Sequence, residues 1–202
     1  EFPIKSILAM ECGTYHHMRL QELWRKMGIL DGDWRCLKCD TAFSALAPKE
    51  CPKCQGRVLD YLEIDLTDKK WKMHGRGDGI LVLDGERYLA EIKSINMFDF
   101  NRLGSVKAEH LIQVNCYLHM AQMDNCLIVY VNRNDGLMKV YSYRKDDEVV
   151  KKIDHYCNTL LNCLKEKQPP PLKYGPTSRY CNERCQAVPI CIKEGGEKHE
   201  RG

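Results

Sequence analysis

Asp78, Glu91 and Lys93 are the residues whose types and spacing point most directly to chemistry. They lie within GRGDGILVLDGERYLAEIK, residues 75–93, where two apolar runs flank Asp84-Gly85. Asp-Gly between two such runs signals a tight hairpin turn. The turn folds the second run back beside the first and can bring Asp78 near Glu91. Glu91 and Lys93 are two apart, so on a strand their side chains leave the same face. Two hard carboxylates suit Mg²⁺ or Mn²⁺, which keep open positions for water and phosphate. A lysine beside them can orient or help deprotonate an attacking water and offset phosphate charge. A solvated strand pair with a cross-strand ion pair would use the same residue types.

Three further features bear on that choice. Gly13-Thr14-Tyr15-His16-His17 puts histidine in an opening helix, Gly75 stands three residues before Asp78, and Gln113 and Tyr117 are four apart. Residues four apart share a helical face. Glu63, in YLEIDL, could assist the same site but reads more simply as a surface strand position.

Cysteine is the compositional outlier, with twelve in a chain whose start, EFPIKSILAM, shows no basic n-region or cleavage site. Such cysteines read as reduced metal ligands rather than a disulfide framework. Cys36 and Cys39, then Cys51 and Cys54, form two Cys-x-x-Cys pairs separated by eleven residues. Each pair chelates through two sulfurs from one turn, and four thiolates complete a tetrahedral Zn²⁺ site. A redox pair is the alternative for one such motif, and two at this separation favour structural zinc. Arg35, Lys38, Lys49, Lys53 and Arg57 leave open whether this ribbon touches DNA or protein.

The elements that must position these groups follow from periodicity and turn signals. Apolar residues at Ile7, Leu8, Tyr15, Met18, Leu23 and Met27 predict a helix over 4–27, stopped by Gly28. Residues 34–60 are short and turn-rich. Strands are expected at 61–66, 71–74, 79–83, 87–93, 126–132 and 138–143, the last two joined by Asn134-Asp135-Gly136. Helices are expected at 106–123, burying Leu111, Val114, Leu118 and Ala121, and at 147–167, stopped by Pro169-Pro170-Pro171. The order implies an α/β or α+β core with a mixed sheet flanked by helices. Its parts are a core of 1–33 and 58–180, an inserted four-cysteine zinc ribbon of 34–57, a C-terminal Cys segment of 181–192 and a disordered tail of 193–202.

Four motifs in order, Gly13/His17, Gly75/Asp78, Glu91/Lys93 and Gln113/Tyr117, carry a family likeness. The chain resembles the PD-(D/E)XK nuclease superfamily, in its RecB-like exonuclease branch with CRISPR-associated and AddB-type nucleases. The resemblance runs from about Cys12 to Val131, skips the ribbon and resumes at the C-terminal cysteines. It implies a restriction-endonuclease-like fold. It also implies that His17, Asp78, Glu91 and the Ile92 carbonyl bind Mg²⁺ or Mn²⁺. A histidine ligand suits Mn²⁺ rather better. Lys93 would position the water, and Gln113 and Tyr117 would hold the DNA strand. The spacing from Gly13 selects His17 over His16.

The same resemblance implies a [4Fe–4S] cluster on Cys181, Cys185 and Cys191 with Cys12 as the fourth thiolate. The first gap here is three residues where the family usually has two, and Cys12 is closer to His17 than the family places it. Cys157 and Cys163 are other candidates for the fourth ligand, and a second zinc or no metal is an alternative outcome.

Composition sets the remaining bounds. In 202 residues, 44% hydrophobic and 29% charged is a globular balance, and no apolar run is long enough to cross a bilayer. A net charge of +3 is too small to mark a nucleic-acid binder by itself. The expected function is a cytoplasmic, metal-dependent DNA exonuclease acting on single- or double-stranded ends in replication, recombination or repair, phage-encoded or CRISPR-associated. A DNA-binding adaptor with an inactive nuclease fold and a metal-dependent endonuclease are the alternatives. A homo-oligomer or a replication or recombination protein partner is left open.

Overall fold

Asp84 and Gly85 both have positive φ, 50° and 82°, the pairing a two-residue hairpin turn needs to match the twist of its strands. Around that turn the protein is built as a mixed α/β fold, seen in a computed structural model that describes residues 4–168. In chain order it has α1 (Ile4–Lys26), β1 (Leu30–Cys36), β2 (Ala42–Leu46), β3 (Leu59–Leu62), β4 (Ile64–Asp68), β5 (Met73–Gly77) and β6 (Gly79–Leu83). There follow β7 (Glu86–Ile95), α2 (Met97–Arg102), α3 (Ala108–Ala121), β8 (Asn125–Asn132), β9 (Met138–Arg144) and α4 (Asp147–Glu166). One compact unit ends at His155; a second begins at Tyr156, and its described part is the end of α4 and the two residues after it.

The central sheet has the order β2-β1-β6-β7-β8-β9, with β3 also on β1. Among the described strands only β7 and β8 run parallel. Parallel neighbours need a long crossover, and α2 and α3 supply it. This is the helix-flanked mixed sheet expected from the sequence.

The pleat of β7 sends alternate side chains to opposite faces. Leu89 and Ile95 pack with Val114 and Leu118 of α3 and with Ile128 and Tyr130 of β8. Ala90 and Ile92 pack on the other face with Leu20 and Trp24 of α1. Each fully buried Leu or Ile stabilises the fold by about 1.5–3 kcal/mol, so β7 is clamped from both sides. Glu91 and Lys93 share the Leu89 face, between those clamps.

Helix α1 differs from expectation in the face it uses. Ile7, Leu8, Tyr15, Met18 and Met27 are exposed, and the helix meets the sheet through Leu20 and Trp24. The apolar contact lies in the helix's C-terminal half: residues 17, 20, 21 and 24 form one helical stripe, and two of them are polar.

The expected boundary between residues 33 and 34 falls inside β1. Leu30 and Asp31 pair with β6, whereas Asp33–Cys36 pair with β3, and β2 spans both segments on the opposite edge. Trp34 is buried in the same cluster as Leu20 and Trp24. The ribbon and the central sheet therefore share a strand.

Candidate active site

The hairpin register places the first two groups. Gly79 pairs with Ala90, so Asp78, one residue outside, falls opposite Glu91. Asp78 is the single residue between β5 and β6, and two contacts fix it. Its Oδ2 accepts the Ile92 N–H at 2.6 Å, and the Gln21 side chain donates to its backbone carbonyl at 2.8 Å. In an extended strand one residue's N–H and C=O point to the same edge. The Ile92 carbonyl therefore faces the Asp78 side.

His17 reaches the site from α1, its Nδ1 3.0 Å from Asp78 Oδ1. Burial works against a charged ring there. The hydrogen bond to Asp78, with the negative charges of Asp78, Glu91 and Glu63, overcomes it and holds His17 above the usual histidine range. His16 points elsewhere, its Nδ1 3.5 Å from Ser94 Oγ, and burial lowers its pKa.

Glu91 is only 3% exposed, yet its Oε2 has no hydrogen-bond partner. Its Oε1 accepts from Lys93 Nζ at 2.6 Å. Burial and the neighbouring Asp78 carboxylate push Glu91 up to about 7 against the pull of Lys93. An orphaned buried carboxylate oxygen costs about 1–3 kcal/mol or more. A bound cation would remove that cost.

Lys93 Nζ also donates to Gln113 Oε1 at 2.6 Å, and Gln113 Nε2 donates to the Tyr117 hydroxyl at 3.0 Å. Glu91, Lys93, Gln113 and Tyr117 thus form one continuous chain of hydrogen bonds. Gly75 has its own reason to be glycine: a Cβ there would lie 2.7 Å from Tyr117 Cε1. The Tyr117 ring lies against bare backbone three residues before Asp78.

Of two further residues near the site, the sequence reading ranks Glu63 as a helper only second and misses Gln21. Glu63 reads there as a strand surface position, but its carboxylate lies within 4.8 Å of ligand atoms of both His17 and Asp78. Gln21 follows His17 by four residues, and that helical spacing is the only signal that it would reach the same place.

The donor set can be tested against a cation. Two adjacent ligands of an octahedral Mg²⁺ at 2.0–2.1 Å stand about 2.9 Å apart, close to the His17–Asp78 separation of 3.0 Å. Two carboxylates, an imidazole and a strand carbonyl are hard or borderline ligands of the kind Mg²⁺ and Mn²⁺ accept. The chemistry of this donor set fits the ion, and His17, Asp78 and Glu63 offer ligand atoms within 4.8 Å of one another.

The four ribbon cysteines also converge. Cys36 and Cys54 sulfurs are 3.5 Å apart and those of Cys39 and Cys51 are 3.7 Å apart, close to the edge of about 3.8 Å expected for a ZnS₄ tetrahedron. The two turns repeat each other. Asp40 and Gln55 have φ of 55° and 57°, and their N–H groups donate to the Cys36 and Cys51 carbonyls at 2.8 and 2.9 Å. Hydrogen bonding with the Thr41 side chain and backbone lowers Cys39 to about 6. At Cys54 the Gly56 N–H pulls downward, but Cys39, burial and the other two thiols raise it to about 12. Four thiols this close cannot all ionise unaided, and a cation would let them.

Cys12 lies half-buried on α1. Cys181, Cys185 and Cys191, and with them the iron–sulfur expectation, lie outside the described residues, as does the expected tail. No described helix is long and apolar enough to cross a membrane.

No family model matches the chain, and no curated protein sequence matches it. Among solved structures it is similar to an alkaline exonuclease (LHK-Exo) from Laribacter hongkongensis, at 20% identity and TM-score 0.44, over 52% of this chain and 59% of that one. It is similar to LHK-Exo in complex with dAMP at 19% identity and TM-score 0.43, over 52% and 58%. It is also similar to SSO0001, at 17% identity and TM-score 0.36, over 62% and 58%. The chain thus spans less than three fifths of each of these structures.

Proposed function

We propose that this chain is a divalent-metal-dependent deoxyribonuclease, an exonuclease acting on DNA ends in replication, recombination or repair. The observation that carries the reading is Glu91: a carboxylate buried beside Asp78 and His17, with one oxygen on Lys93 and the other unpartnered. A mere surface ion pair would be exposed and satisfied.

His17, Asp78, Glu91 and the Ile92 carbonyl would hold the ion. When bound, Mg²⁺ or Mn²⁺ stabilises phosphate charge and lowers the pKa of water. Lys93, fixed between Glu91 and Gln113, is the group available to orient a water for attack on phosphorus. Its positive charge also offsets that of the phosphate. Gln113 and Tyr117 present an amide and a phenol on one face of α3, suited to the backbone of a DNA strand. The four-cysteine ribbon takes structural Zn²⁺ in this reading. The iron–sulfur cluster belongs to the same proposal and is checked by the iron and sulfide content of anaerobically purified protein.

The test is cleavage of end-labelled linear single- and double-stranded DNA, and of circular DNA, with Mg²⁺, Mn²⁺ or EDTA. Metal-dependent shortening from an end, absent on circles and lost in Lys93→Ala, is expected. Cutting of circles would make the enzyme an endonuclease. DNA binding without any product by folded, metal-loaded protein would make it an adaptor.

A further inference from the structure

Strands β4 and β5 form a two-stranded sheet of their own. The chain leaves the central sheet for it through one residue, Glu63, between β3 and β4, and returns through one residue, Asp78, between β5 and β6. Ile64 pairs with Gly77, so the next positions outward, Glu63 and Asp78, face each other across the open end of that hairpin. The β6–β7 register then sets Asp78 opposite Glu91. Three carboxylates therefore stand at consecutive opposed positions, with His17 beside the middle one.

Repulsion among three carboxylates makes this an expensive arrangement to leave uncompensated. Lys93 is the cation given to Glu91, and it donates to Glu91 Oε1 and to Gln113 Oε1. The remaining Glu91 oxygen is buried and unpartnered. Glu63 is exposed, and its carboxylate lies within 4.8 Å of the ligand atoms of His17 and Asp78. It can thus approach a cation from the open side without being desolvated first. Its backbone is held on both flanks, by Leu62 pairing with Asp33 and Ile64 pairing with Gly77.

We propose that Glu63 is a further protein ligand of the divalent cation, directly or through a bound water, brought there by the junction between the ribbon's last strand and the β4–β5 hairpin. The inference rests on the nuclease reading above and adds a ligand from a part of the chain outside its motifs. It also ties the ribbon to the acidic site, because β3, which pairs with Cys36 at its other end, delivers Glu63.

The experiment is Mn²⁺ binding without DNA, read as the free Mn²⁺ electron paramagnetic resonance signal, for wild type, Asp78→Asn, Glu63→Gln and Glu63→Asp. Glu63→Gln is expected to weaken Mn²⁺ binding by about 10- to 100-fold, in the range for losing a supporting group of a metal site. Glu63→Asp should recover part of that loss, and Asp78→Asn should weaken binding more than either. The melting temperature of Glu63→Gln in EDTA should match wild type, because the residue is exposed. Unchanged Mn²⁺ affinity in Glu63→Gln, with affinity lost in Asp78→Asn, would overturn the Glu63 assignment and leave the nuclease site standing. Mn²⁺ binding that is absent in wild type or indifferent to Asp78→Asn would overturn both.

Discussion

The four-cysteine ribbon and the acidic site both gather metal-ligating groups, but they do so on opposite principles. In the ribbon each pair of cysteines comes from a single turn, and the second turn copies the first down to the left-handed residue that follows it, Asp40 or Gln55. Spacing in the sequence is spacing in the molecule. In the acidic site His17, Glu63, Asp78 and Glu91 come from a helix, two sheet junctions and a central strand, and α3 adds Gln113 and Tyr117. Hairpins set Glu63 opposite Asp78 and Asp78 opposite Glu91, but only tertiary packing brings in His17, Gln113 and Tyr117. A local site fails when a ligand is lost; a dispersed one also fails when a supporting contact is lost.

That contrast can be broken at either end. Lys93→Ala should give the largest effect, lowering cleavage of end-labelled DNA by about 10²–10⁴-fold. Ribbon metal content, read by mass spectrometry, should stay at the wild-type level. Cys51→Ser removes a fully buried thiol and should weaken ribbon metal binding by more than about 100-fold, beyond the cost of losing an outer-shell partner. Titration with a chromogenic chelator measures it. If Mn²⁺ binding at the acidic site collapsed with it, the two regions would be coupled through β1 and β3.

Smaller effects sharpen the dispersed side of the comparison. Gly75→Ala must displace the Tyr117 ring and should cost about 1–3 kcal/mol by chemical denaturation, as overpacking does. In a Tyr117→Ala background most of that cost should vanish, a non-additivity that a mutant cycle detects. Gln21→Ala leaves the Asp78 carbonyl without its donor and should cost about 1 kcal/mol of stability. A measurable fall in Mn²⁺ affinity should accompany it, because Asp78 loses an anchor.

How much of this is legible in the sequence depends on how local the determinant is. Asp84-Gly85 announces its turn, the turn sets the register, and the register puts Asp78 opposite Glu91. Val114 and Leu118 announce the buried face of α3 in the same way. Glu63 is only half legible, because YLEIDL reads as one alternating strand and a surface position is the simpler reading. No glycine or proline marks the point where it passes from one sheet to another. The stripe of α1 misleads because its apolar residues lie mostly on the exposed side, and the working face is chosen by what His17 and Gln21 must reach. Helix α2, six residues capped by Asn96 accepting the Asp99 N–H, is too short for any periodicity to show.

The shared strand β1 has a mechanical consequence. An appended module on a flexible linker can swing, whereas one that continues a strand of the core cannot rotate without breaking that strand's ladder. Cys36, on the β3 ladder, lies five positions beyond Asp31, on the β6 ladder. At about 3.3 Å per residue, the ribbon stands roughly 16 Å out along a stiff arm. Whatever the ribbon touches is therefore held at a fixed distance and bearing from the acidic groups, and β1 works as a gauge.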